Sequence, residues 1–227
     1  MLPLRPPIKA PGPRLSDRLA LRWSKGRIID GLWVGRFRSD EEPALLRVEE
    51  ALSLIKQRDQ IQYARIIRNL KRVWVNLLPD ARACFDRSLQ ACVLDERFVL
   101  DTAHEEIASA IIHEATHARL ERYGITYEES IRPRVEAICL RRELSFLAKV
   151  PNCETLRDET AATLDRCLND PVFLQDTSLL QRYNSGLAET LRHAGLPEWL
   201  IAATPKLQTA IAAARRLIAS VARPKGR

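Results

Sequence analysis

Two of the four histidines in the chain stand four residues apart inside IIHEATHARL, Ile111 to Leu120, with a glutamate directly after the first. That spacing constrains the fold more than any other feature. On an α-helix, residues four apart share one face about one turn along, so His113 and His117 can aim ring nitrogens at a common point. Ile107, Ile111 and Ile112 bury another face of the same segment. Upstream, Thr102 and Glu105 have the spacing of a capping box and are expected to open the helix. Downstream, Gly124 is expected to close it, because glycine adopts a left-handed C-terminal conformation at little cost.

The rest of the chain is organised around that helix. Residues 1–40 are rich in proline and glycine and read as a flexible arm, which Trp23 and Trp33 would dock onto the core. Residues 41–222 read as a single domain, and residues 223–227 as a basic tail. Leu45, Val48, Leu52 and Ile55 recur at three and four, which predicts a helix from Pro43; a second, shorter one follows near Asp59 to Leu70. RVWVNLL, Arg72 to Leu78, and CVLDERFVL, Cys92 to Leu100, are the two convincing strands. Further helices are expected at 134–149, where Pro133 is tolerated in the first turn, and at about 153–168, 177–194 and 204–221. The reading is a predominantly helical α+β fold. A small sheet packs against the HEATH helix and the helix that follows it.

Composition excludes several classes. An apolar fraction of 46% with 29% charged residues is that of an ordinary globular chain. Five cysteines without a CxxC pair argue for reduced, buried thiols rather than a disulfide framework or a cysteine-rich zinc knot. No apolar run is long enough to span a bilayer and the N-terminus lacks a signal-peptide core, so a cytoplasmic protein is expected. The net charge of +7 comes largely from arginines scattered over helix faces. Nucleic-acid binding is possible but not favoured, since no recognised binding motif accompanies the charge.

A zinc ion at the point where His113 and His117 converge would take two imidazole ligands, and Glu114 beside them could hold an attacking water as general base. A third ligand is then needed. His104 lies on the opposite side of the helix, and Glu121 is about 6 Å further along the axis than His117. Glu136 is the stronger candidate, because it faces the apolar stripe of Leu140, Leu144 and Leu147, where a carboxylate needs a partner.

With HEATH at His113 to His117 and RVEAICL around Glu136, the sequence resembles the zincin metallopeptidases, and within them the gluzincin pattern. The resemblance covers roughly residues 92 to 149. It implies zinc on His113, His117 and Glu136, and hydrolysis of a peptide or protein substrate by a zinc-activated water with Glu114 as base. CVLDERFVL takes the place of the edge strand that aligns substrate in that family. One position departs: the acidic residue expected four after the third ligand is Leu140 here, and Glu143 or a backbone carbonyl is left to orient a histidine. Candidates for the oxyanion donor are Tyr183 and His193, with Tyr123 and Tyr127. The alternative is a closed, non-catalytic zinc module in which Cys139, three residues after Glu136, adds a thiolate.

Overall fold

The structure is a computed structural model that describes residues 12, 15–37, 43–193 and 195–201. It is predominantly helical, with one five-stranded mixed sheet. The chain runs α1 (Leu15–Arg22), β1 (Ser24–Ile29), β2 (Leu32–Phe37), α2 (Pro43–Arg58), α3 (Gln60–Asn69), β3 (Arg72–Asn76), β4 (Ala83–Asp86) and β5 (Ala91–Asp95). Then follow α4 (Glu96–Asp101), α5 (His104–Arg122), α6 (Arg132–Leu147), α7 (Glu154–Asn169) and α8 (Asp176–His193). Strand order is β1-β2-β3-β5-β4, parallel at β2–β3 and β3–β5 and antiparallel at both ends.

Alternation along the strands sorts side chains to two faces. Leu32, Val34, Val73, Val75, Cys92 and Leu94 join one core with Val48, Leu52 and Ile55 of α2 and Ile107, Ile111 and Ile112 of α5. Trp74, Ala91 and Val93 form a smaller cluster on the other face, against Ala20 and Leu21 of α1. Central strands covered on both sides lack a clean apolar-polar alternation. All five residues of β5 are buried.

Several expectations are corrected here. The arm expected over residues 1–40 gives way to structure by Leu15, and β2 carries the fully buried Leu32 and Val34. The β1–β2 turn places Asp30 and Gly31 at positive φ, a tight connection that reads as loop chemistry in the sequence. Trp33 packs beside the Trp74 cluster, whereas Trp23 is 61% exposed. The expected strand at Cys92–Leu100 ends at Asp95, whose side chain accepts from the backbone N–H groups of Arg97 and Phe98 and starts α4. Thr102 ends α4 instead of opening α5: its hydroxyl donates to the Phe98 carbonyl at 2.8 Å, and α5 starts after Ala103 without a side-chain cap. The expected helix at 204–221 and the basic tail lie outside the described residues.

Asp95 also accepts from the Leu78 N–H at 2.8 Å and the Arg97 guanidinium at 3.0 and 3.1 Å, while only 3% exposed. Asp95→Ala removes the cap and leaves buried donors unpaired, so a loss of about 2–4 kcal/mol is expected. A urea unfolding midpoint measures it; an unchanged midpoint would refute this role.

Candidate metal centre

The site is built on two packed helices, α5 and α6, and the loop joining them. Helix α5 stops in a Schellman motif: the Ile125 N–H reaches the Leu120 carbonyl and the Gly124 N–H reaches that of Glu121, with Gly124 at φ +79°. The chain then reverses and enters α6 at Arg132, with Pro133 in the first turn. Helix α6 starts without a side-chain cap, and the Thr126 hydroxyl in the preceding loop donates to the Glu128 carboxylate at 2.9 Å.

This reversal brings His113, His117 and Glu136 together. The two Nε2 atoms are 3.0 Å apart, and the Glu136 carboxylate oxygens lie 3.1 Å from that of His113 and 3.4 Å from that of His117. Donors around a tetrahedral ion with bonds of about 2.0–2.1 Å stand about 3.3 Å from each other. The donor set therefore suits zinc in both chemistry and spacing.

Glu143 meets the other nitrogen of His113, Nδ1, at 2.6 Å, and its second oxygen accepts from the Ser109 hydroxyl, also at 2.6 Å. Glu143 and Ser109 are each 3% exposed, so both carboxylate oxygens are satisfied in a dry setting. With Nδ1 donating to Glu143, Nε2 of neutral His113 keeps its lone pair directed at His117 and Glu136. Glu143 thus stands where Leu140 departs from the gluzincin pattern, one turn further along. Ser109 lies one turn before His113 on the same helix face, and only the sharing of a carboxylate across two helices reveals its role.

The cluster attracts positive charge. Burial disfavours the His113 cation, but Glu143, Glu136 and Glu114 outweigh it and raise the imidazole well above the ordinary histidine range. Burial pushes Glu136 upward as well, but its contacts with the two imidazoles prevail and hold the carboxyl well below the usual carboxylate range. A proton or a divalent cation answers the same field.

Glu114 is separate from these donors. It is 7% exposed, and burial raises its carboxyl above the ordinary glutamate value, opposed by the two histidines and reinforced by Glu136 and Glu143. It opens with His113, His117 and Glu136 onto a cleft of about 470 Å³. Ala83, Cys84 and Phe85 of β4 form one wall of that cleft, and Leu120, Ile125 and Val135 contribute apolar surface. The edge of the sheet beside the site is therefore β4, not CVLDERFVL: β5 is flanked by β3 and β4.

Of the four candidate oxyanion donors, Tyr127 alone lines this cleft. Its hydroxyl donates to Glu136, and its ring meets that of His117 edge-on at 5.2 Å. Tyr123 packs against the Arg119 guanidinium, while Tyr183 and His193 belong to α8. Arg132, which the sequence reading overlooked, holds Tyr127 from behind. It is 6% exposed, lies 4.9 Å from the tyrosine ring centre, and donates to the Leu174 carbonyl at 2.6 Å and to Asp176 at 2.7 Å. The loop between α7 and α8 thereby braces the site.

Cys139 supplies a competing donor. Its sulfur and the two imidazoles offer ligand atoms within 4.8 Å of one another. Glu136 offers its carboxylate oxygens at 3.1 and 3.4 Å from the same imidazoles. Burial, with Glu136, Glu114 and Glu143 around it, raises the Cys139 thiol far above its ordinary value and favours the neutral form.

Comparison with protein-family models, curated proteins and solved structures finds no match. Among the described residues, no helix is long and apolar enough to cross a membrane.

Proposed function

We propose that the chain is a zinc-dependent metallopeptidase acting on an extended peptide segment in the β4-walled cleft. The observation that carries this reading is the convergence of three donors at 3.0–3.4 Å with a fourth, buried carboxylate opening on the same cleft. A purely structural site has no use for Glu114 beside its first ligand.

His113, His117 and Glu136 hold the metal, with Glu143 and Ser109 fixing the orientation of His113. Bound zinc supplies Lewis acidity, which polarises the scissile carbonyl and lowers the pKa of water. Glu114 takes the proton of the attacking water and delivers it to the departing amine, a task suited to a carboxyl whose pKa burial has raised. The Tyr127 hydroxyl is the donor placed to stabilise negative charge on the carbonyl oxygen. Among the described residues strand β4 pairs with β5 on one side only, so its outer edge offers backbone groups for a substrate strand.

Metal content by plasma mass spectrometry on untagged protein, paired with cleavage of a mixed peptide library, tests the reading. The expected result is one zinc per chain and cleavage that chelation abolishes and zinc restores. No metal after zinc is supplied would overturn it. Zinc without cleavage would favour a second reading, a closed site with Cys139 as a further ligand, which rests on the sulfur's proximity to the imidazoles.

Glu143→Gln keeps the shape but weakens the partner of His113 Nδ1. A fall of about 10–100-fold in zinc affinity is expected, read by competition with a chromophoric chelator. Unchanged affinity would remove Glu143 from the site.

A further inference from the structure

Helix α5 carries a second concave feature, centred more than about 100° round the helix from His113 and His117. Ile112, Ala115 and Thr116 of α5 and Ile66 of α3 form its floor. Three arginines from three helices line it, Arg65 of α3, Arg119 of α5 and Arg142 of α6, and the charges of Arg119 and Arg142 both act on Arg65. All three residues are half-buried.

Like charges gathered over an apolar floor repel each other, and folded chains normally interleave them with carboxylates. Here Arg65 donates to the Gln62 side-chain oxygen at 3.1 Å, and Arg119 lies 5.8 Å from the Tyr123 ring centre. Among the described residues, none of the three pairs with a carboxylate. The acid nearest in effect is Asp59, and it is engaged elsewhere. It caps α3 at the Gln62 N–H and takes the Lys149 ammonium at 2.5 Å. The strain registers at Arg65, where burial, then Arg119 and Arg142, hold the pKa below the usual arginine value.

We propose that Arg65, Arg119 and Arg142 form a binding site for a phosphate group. Guanidinium forks match tetrahedral oxyanions in charge and geometry, and an anion among three of them replaces mutual repulsion with charge-assisted hydrogen bonds. The depression encloses only about 10 Å³, so the anion sits at its mouth, among the half-exposed guanidiniums. This site stands independently of the peptidase reading, since it shares no residue with the metal donors.

Thermal unfolding and calorimetric titration with inorganic phosphate, against potassium chloride at matched ionic strength, test the proposal. Saturable stabilisation by phosphate is expected. Arg119→Gln and Arg142→Gln should each weaken binding at least about tenfold, as loss of a charged hydrogen bond implies. Arg141→Gln, at the exposed neighbouring position, and Glu136→Ala, which breaks the metal donor set, should bind as the unaltered chain does. A nucleoside monophosphate as second probe separates two sources of the same group. Tighter binding than inorganic phosphate assigns the site to a phosphomonoester, and equal binding to the free anion. A response no larger than that to chloride, equal binding in the two arginine variants, or loss in Glu136→Ala would overturn the proposal.

Discussion

Glu114→Gln is expected to lower peptide hydrolysis by about 10²–10⁴-fold while leaving zinc content at one per chain. Glutamine keeps the size and cleft position of Glu114 but cannot accept the proton of the attacking water. The donors His113, His117 and Glu136 should remain as they are, because they meet one another at 3.0–3.4 Å without Glu114. Metal content and turnover are measured on the same samples, so loss of zinc in the variant would show that Glu114 holds the site together instead. The pH profile of kcat/KM gives an independent readout. The base works only when ionised, and burial raises its pKa above the ordinary glutamate value. Activity should therefore fall as pH drops through that raised value, with its acid limb displaced upward from about 4.3. Metal content followed over the same range separates this limb from protonation of the ligands.

How far the sequence could be read depended on whether the signal was local. The α5 histidines, Gly124 and the apolar stripe of α2 are local periodicities, and the structure places them as the spacing predicts. Glu136 was reachable because an acidic residue on an apolar face of α6 needs a partner. The β1–β2 hairpin was not, because SKGRII exposes most of its side chains and LWVGRF is almost wholly buried, so neither alternates. Strand β4 is four half-buried residues long and gains its identity only from its pairing with β5. The boundary at Asp95 turned on one side chain. An aspartate inside an apolar run can continue a strand or cap a helix, and here its two backbone acceptor contacts decide for the helix. Arg132 was invisible for the same kind of reason, since its partners Leu174 and Asp176 lie more than forty positions away.

Glu136→Ala and Cys139→Ser are expected to separate, and the separation distinguishes an open metal site from a closed one. In an open site, removing Glu136 takes away the third donor and leaves the two imidazoles of His113 and His117, too few for a stable zinc site at ordinary free-metal levels. Near-complete loss of zinc is expected, with peptide hydrolysis lost alongside it. The Glu136 partner of the Tyr127 hydroxyl goes too, so the tyrosine ring should become more mobile over His117. Cys139→Ser exchanges a buried thiol for a hydroxyl of similar shape on the same helix. If the sulfur only packs, zinc content stays at one per chain, activity is kept, and the cost is a modest loss of stability from burying a more polar group. If the sulfur is a ligand, zinc is lost or bound much more weakly in this variant and retained to a degree in Glu136→Ala. That outcome would make the site closed and leave Glu114 without a water to activate. Cobalt substitution gives a second view of the same question, because thiolate ligation adds an intense charge-transfer band that a set of two histidines and a glutamate lacks. Its absence in the cobalt-loaded unaltered chain, together with zinc retained in Cys139→Ser, is what an open three-donor centre requires.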